Sequence, residues 1–85
     1  MTKSIINEDV TVTALYFARG DSRRSYPKRI EYDGDTVNFV ESGLQCLVRR
    51  GKEVVRIFTM SDGNTQYRLR CDEAHARWTL LSIAR

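Results

Sequence analysis

The chain has 85 residues, of which 41% are apolar and 29% charged, and its net charge is +3. This length fits one domain without room for a second core, and the composition is too apolar for a disordered chain. No apolar run approaches the roughly 20 residues of a membrane-spanning helix, and the N-terminus lacks the apolar segment of a signal peptide. The sequence therefore predicts a single cytoplasmic domain, residues 1–85, without a membrane segment.

The first predicted strand runs from Val10 to Ala18, where apolar residues recur with the period of two that is typical of β-strands. Valines alternate with threonines over residues 10–13, which predicts one apolar and one polar face. Residues 1–8 and the last two residues carry no such pattern. We expect both ends to be loose.

A hairpin follows, and Asp33-Gly34 is its turn signal. Asp-Gly favours a two-residue type I′ turn, because both central residues need a positive φ. In that register Ile30 opposes Val37. Pro27 has no N–H to donate to a neighbouring strand, which indicates that its strand lies at an edge of the sheet.

A second hairpin is predicted around Asp62-Gly63. A two-residue turn here places Phe58 opposite Tyr67. Arg56 interrupts an otherwise apolar face. The apolar members of that face are Val54, Phe58, Met60, Tyr67, Leu69 and Cys71.

Two further segments complete the chain. Residues 41–53 fit either a strand that turns at Arg50-Gly51 or a helical turn before the next strand, and the sequence leaves both open. Residues 76–83 predict a last strand, in which the large ring of Trp78 closes one end of a small core.

Five to seven short strands joined by tight turns predict an all-β fold. The expected architecture is a small antiparallel meander curled into a barrel or a half-open roll. Curling is expected because an open sheet of this size would leave its edges and one face exposed to solvent.

The two cysteines, Cys46 and Cys71, form no C-x-x-C motif. Without an export signal, buried thiols are favoured over a disulfide. The single histidine, His75, stands without the spacing of a zinc site. We expect no metal and no cofactor.

Residues 72–75 spell D-E-A-H, the signature of a helicase family. That chemistry also needs a phosphate-binding loop of the form G-x-x-x-x-G-K-[ST], and Gly51-Lys52 lacks both the preceding glycine and the following hydroxyl residue. A polar loop between two strands is favoured instead. No nucleophile has a plausible base and the paired acids lie at turns, so the prediction is a protein without catalytic activity.

The stretch R-G-D-S-R-R-S-Y-P-K-R, residues 19–29, holds five basic residues and one acidic residue. Arg19-Gly20-Asp21 matches an adhesion tripeptide, but adhesion requires an exported protein, and Gly-Asp favours a turn after the first strand. Arg23-Arg24-Ser25 matches a basic kinase site, for which the sequence offers no further support. The third interpretation is a cationic segment that contacts phosphate.

Nucleic-acid binding, to RNA or DNA, is the most specific functional hypothesis. Single strands bind where cations follow the backbone and aromatic rings stack on bases. The first candidate group is Arg19, Arg23, Arg24, Lys28 and Arg29, with Tyr26 as a stacking ring. The second candidate group is Arg49, Arg50, Arg68 and Arg70.

The alternative is a protein-interaction module, or a homodimer that pairs through an exposed edge. In that case the 14 basic and 11 acidic residues are interspersed for solubility and have no nucleic-acid role.

About the last 35 residues resemble a group of short, uncharacterised bacterial proteins. Their shared form is a strand, a D-G or G-G turn, a Y-x-L strand and a final W-x-L. The matching residues are Asp62, Gly63, Tyr67, Leu69, Trp78 and Leu80. The resemblance implies a small β-meander and assigns no active site.

Overall fold

The computed structural model describes residues 2–18, 21–72 and 75–85, and of residues 17, 18, 21–25, 42, 44 and 50 it describes the backbone alone. Its seven antiparallel strands form one sheet. The strands are β1 (Lys3–Ala18), β2 (Asp21–Tyr32), β3 (Asp35–Asn38), β4 (Glu41–Arg50), β5 (Glu53–Ser61), β6 (Gln66–Asp72) and β7 (Arg77–Ala84). The predicted all-β class is confirmed.

The strand order across the sheet is β3-β2-β1-β7-β6-β5-β4, so the two edge strands, β3 and β4, are consecutive in the chain. They are joined by Phe39 and Val40 alone. The Phe39 N–H donates to the Lys28 carbonyl oxygen (2.8 Å), and the Val40 N–H donates to the Ser61 carbonyl oxygen (2.8 Å). This short connection draws the two ends of the sheet together at a seam. The sheet is therefore a half-open roll and not a closed barrel.

The core lies on the inner face of the roll, where Phe58 of β5 stacks on Trp78 of β7 with ring centroids 5.5 Å apart. Val10 and Val12 pack against this core while Thr11 and Thr13 are exposed, which confirms the predicted faces of the first strand. The buried core residues are Ile30, Phe39, Phe58, Met60, Tyr67, Leu69, Cys71 and Leu80.

Arg56 lies on the inner face beside this core and is only 4% exposed. Its guanidinium lies 4.8 Å from the centroid of the Phe58 ring. With the Gln45 amide turned so that its oxygen faces the guanidinium, that oxygen accepts from Nη2 (2.8 Å) and Nε (3.1 Å). Ring contact and hydrogen bonds offset the cost of burying the charge.

The first hairpin forms as predicted. Asp33 (φ 52°) and Gly34 (φ 79°) both have the positive φ of a type I′ turn, and Ile30 pairs with Val37. The register of β3 ends opposite residue 29, so the preceding part of β2, which contains Pro27, extends beyond β3. Pro27 itself thus has no β3 residue beside it, but the prediction that its strand lies at an edge of the sheet is wrong, because β2 is flanked by β3 and β1. The proline is tolerated because β3 is too short to reach it.

Of the two alternatives for residues 41–53, the strand is correct. β4 and β5 pair from Glu41 with Ser61 to Arg50 with Glu53, around a two-residue turn. Gly51 has φ 61° at the first central position of that turn, which glycine adopts without steric cost.

The second hairpin differs from its prediction. Met60, not Phe58, pairs with Tyr67, and residues 62–65 form a four-residue loop. The predicted two-residue register is therefore wrong by two positions. Since the shift is an even number, the predicted faces of β5 and β6 are preserved.

The Asp62 side chain explains the longer loop. Its Oδ1 accepts from the N–H groups of Asn64 (2.9 Å) and Thr65 (2.8 Å), and its Oδ2 accepts from the Tyr67 hydroxyl (3.3 Å). The only positive φ of the loop is at Gly63 (105°), whereas a type I′ turn needs two. Local hydrogen bonding by aspartate thus outcompetes the tighter turn.

The expected looseness of residues 1–8 and of the last two residues is not found over residues 2–8 and 84–85. β1 begins at Lys3, which pairs with Ala84 of β7. Beyond this pair, Thr2 and Arg85 exchange two backbone hydrogen bonds of 3.0 and 2.8 Å. The ends are ordered because they pair with each other in the middle of the sheet.

Both cysteines are free thiols. Cys71 is buried as expected, but Cys46 is exposed, which corrects the expectation of two buried thiols. The reason is the place of Cys46 on β4, where only β5 covers one side of the strand.

Candidate nucleic-acid interface

Two tyrosines and a lysine meet near the far end of the β1–β2 hairpin. Tyr16 and Tyr26 are register partners, and their ring centroids are 4.9 Å apart with the planes tilted by 31°. The Lys28 Nζ lies 5.0 Å from the centroid of the Tyr16 ring. We refer to these three residues as the tyrosine–lysine cluster.

The pairing of β1 and β2 is irregular around Lys28. The register shifts twice between the pair Val12–Ile30 and the pair Leu15–Pro27, and Lys28 falls between these pairs. Such bulges bend a strand and redirect a side chain. The alternation of the sequence pattern by itself puts Lys28 on the same face as Tyr26.

An open pocket of about 230 Å³ adjoins the cluster at the seam of the roll. This is less than the roughly 300–1,000 Å³ typical of sites that enclose a whole small ligand. Glu41 is the acidic lining residue. The full lining is Tyr16, Tyr26, Phe39, Val40, Glu41 and Met60.

The structure brings part of the first candidate group together. Arg29 is exposed and follows Lys28 on β2. Arg23 and Arg24 lie on β2 between its last two register pairs with β1, and their side chains lie outside the described part of the molecule. Arg19 lies outside the described residues altogether.

The second candidate group does not join the cluster. Arg68 and Arg70 are exposed on the outer face of β6, opposite the buried face of that strand. Arg49 lies eight positions along β4 from Glu41 of the pocket, a span of about 26 Å at about 3.3 Å per residue. The side chain of Arg50, the next residue, is not described.

Tyr16 is the residue that the sequence reasoning missed. It is 38% exposed and supplies half of the stacked pair. An antiparallel pairing of the first two predicted strands would have placed it opposite Tyr26. The alternation within its own strand carried no such signal, because both faces there read as apolar.

Asp62 and Tyr67 have shifted pKa values at the β5–β6 loop. The N–H groups of Asn64 and Thr65 lower the pKa of Asp62 below its ordinary 3.8. Burial and the nearby Asp62 carboxylate raise the pKa of Tyr67 above its ordinary 10.0. Both groups belong to the β5–β6 loop, and the Tyr67 ring packs on Phe39, which also lines the pocket.

The described part of the chain also contains histidine, cysteine and acidic side chains, which are the usual metal ligands. No group of three or more His, Cys, Asp or Glu side chains there is placed to hold a metal ion. His75 Nδ1 lies 3.0 Å from Asp72 Oδ2 at the exposed end of β6. Among the residues described, no helix has the length and apolar character to cross a bilayer.

Comparisons with known proteins return no match: none of the protein-family models, curated proteins or solved structures is significantly similar to this chain. The resemblance of the C-terminal half to short bacterial proteins therefore stays a prediction.

Proposed function

We propose that this protein is a small, non-enzymatic module that binds single-stranded nucleic acid at the tyrosine–lysine cluster. One observation carries the proposal. A stacked tyrosine pair, with a lysine over one ring, adjoins an open pocket on the strand that holds the basic stretch. Rings for bases and cations for phosphates are the two components of single-strand binding sites.

The stacking of a base on a tyrosine ring is stronger than the contact of a lysine with that ring. A lysine over an exposed aromatic ring contributes about 0.5–1 kcal/mol. Stacking of a base on an aromatic side chain contributes about 1–3 kcal/mol. An incoming base therefore displaces the Lys28 ammonium from Tyr16, and the released ammonium then pairs with a phosphate.

Charge sets the direction in which a nucleotide enters. Glu41 in the pocket repels phosphate, so the base end enters and the phosphate stays outside near Lys28 and Arg29. The sequence adds Arg23 and Arg24 just before Tyr26, and the net charge of +3 favours approach of a polyanion.

The test is fluorescence anisotropy with a labelled single-stranded DNA or RNA 20-mer in low salt. Tyr26→Leu should weaken binding about 5- to 150-fold, the equivalent of one lost base stack. Arg23→Glu/Arg24→Glu should abolish binding. Circular dichroism checks that each variant retains its fold.

The matched control is Arg68→Glu/Arg70→Glu, which makes the same charge change on the outer face of β6. It should weaken binding far less than the change at Arg23 and Arg24. Equal losses in the two double variants would mean attraction by overall charge without a site, and the proposal would be wrong. No retention of either nucleic acid in low salt by the unmodified protein would end it as well.

A further inference from the structure

The free edge of β4 is a second candidate interaction surface of the molecule. β4 is ten residues long and terminates the sheet, with β5 on one side only. The opposite edge strand, β3, has four residues. Natural sheets protect their edges with short strands, proline, charged side chains or β-bulges. β4 is long and has no proline, and its bulge between Ser42 and Gln45 and its charged residues lie toward its ends, so the stretch from Gln45 to Val48 is left unprotected.

The side chains of β4 that the structure describes are also exposed. Leu47 is 58% exposed on the inner face of the roll, and Val48 is 41% exposed on the outer face. Next to Val48, the apolar side chains of Val55 and Ile57 line an open pocket on the outer face. A strand added beside β4 would cover apolar side chains on both faces of the sheet.

The charges of β4 favour a second copy of the same strand. Glu41 begins the strand, and Arg49 and Arg50 end it. In an antiparallel pair of two β4 strands, the acidic end of each lies beside the basic end of the other. A parallel pair would bring like charges together, which is unfavourable.

We infer that the protein forms a two-fold symmetric dimer in which β4 pairs antiparallel with β4 of a second copy. Such an interface uses the same patch on both copies, as the self-complementary charges require. Directly opposite residues of an antiparallel pair project to the same face, so the two-fold axis has to pass through a residue that opposes itself. We place it at Cys46, near the middle of the strand. The inference is argued from β4 and not from nucleic-acid binding, and the two proposals share Glu41 alone.

The first test is analytical ultracentrifugation from micromolar to millimolar protein without nucleic acid. We expect a reversible shift from monomer to dimer with rising concentration. Leu47→Lys places two like charges near the axis and should abolish the dimer. Ile5→Lys makes a similar change at an exposed site on β1 and should leave the dimer unchanged.

The second test is a charge exchange. Glu41 and Arg50 pair with Ser61 and Glu53, which share one face of β5, so Glu41→Arg alone and Arg50→Glu alone each replace attraction by repulsion at both ends of the interface. Each variant should therefore dimerise about two- to thirtyfold more weakly, the scale of two exposed ion pairs. An equimolar mixture of the two variants restores both attractions and should form a heterodimer.

The third test uses Cys46 with copper phenanthroline as the oxidant. Two opposed Cys46 thiols would give up two protons and two electrons to form one disulfide, which links the copies. Cys46→Ser should prevent this link. A monomer at every concentration, assemblies larger than a dimer, or no rescue in the charge-exchanged mixture would each overturn the inference, and a monomer would leave β4 to a strand of another protein.

Discussion

Leu69 and Leu47 both project to the inner face of the roll, yet Leu69 is 0% exposed and Leu47 is 58% exposed. Leu69 lies on β6, which has a strand on either side. Leu47 lies on β4, which has a neighbour on one side only. The comparison teaches that facing the core does not bury a residue. Burial requires neighbouring strands on both sides.

The largest expected effect is a difference in stability between these two leucines. Leu69→Ala should lower the free energy of unfolding by about 2–5 kcal/mol, because it removes buried contacts and leaves a cavity. Leu47→Ala should change it by no more than about 0.5 kcal/mol. Urea denaturation followed by Trp78 fluorescence, at a concentration where the protein is monomeric, measures both. Similar losses for the two variants would contradict the assigned burial.

The β5–β6 loop belongs to the well-packed region and should be sensitive to its capping residue. Asp62→Ala leaves two backbone N–H groups without their carboxylate, at a cost of about 1–3 kcal/mol in unfolding free energy. Asp62→Asn keeps an acceptor oxygen and should lose less. Urea denaturation distinguishes the two variants, and equal losses would show that charge and not hydrogen bonding holds the loop.

The β4–β5 turn belongs to the exposed region, and its conformation depends on Gly51. A Cβ there would meet no atom within 4 Å, so Gly51→Ala would cost energy only through its φ of 61°. That strain is about 1–2 kcal/mol. Because β4 contributes little to the core, hydrogen exchange should show faster opening of β4 than of β6. If hydrogen exchange becomes faster by the same factor in every strand, β4 unfolds only together with the rest of the sheet.

The smallest expected effects are losses of folding stability at acid pH and at alkaline pH. The pKa of Asp62 is lowered by folding, so its contribution is present above about pH 3.8 and lost as pH falls through the folded value. The pKa of Tyr67 is raised by folding, so its contribution is complete below about pH 10.0 and lost as pH rises through the folded value.

Melting temperatures across pH measure these limits in two variants. Asp62→Asn should flatten the acid side of the profile. Tyr67→Phe should flatten the alkaline side and lower stability near neutral pH by about 0.5–1.5 kcal/mol, because it removes the hydroxyl that donates to Asp62. If the melting temperature of a variant depends on pH as it does in the unmodified protein, the substituted residue is not the cause of that pH limit.

Much of the fold was predictable because its signals are local. The alternation of Val10 and Val12 with threonines placed their faces correctly, since the side-chain period of a strand is independent of its neighbours. Asp33-Gly34 produced the predicted turn because two adjacent residues meet its φ requirement. Asp62-Gly63 did not, because the Asp62 carboxylate reaches N–H groups beyond the two-residue turn and stabilises a longer loop.

The sequence by itself determined the strand faces, the first hairpin and the basic stretch around Tyr26. Only the tertiary structure decided that Tyr16 stacks on Tyr26, that Arg49 and Arg68 lie apart from them, and that β4 ends the sheet. The physical reason is the distance along the chain over which each interaction acts. Periodicity and turn chemistry act between residues close in the chain, whereas convergence and burial depend on which strands become neighbours.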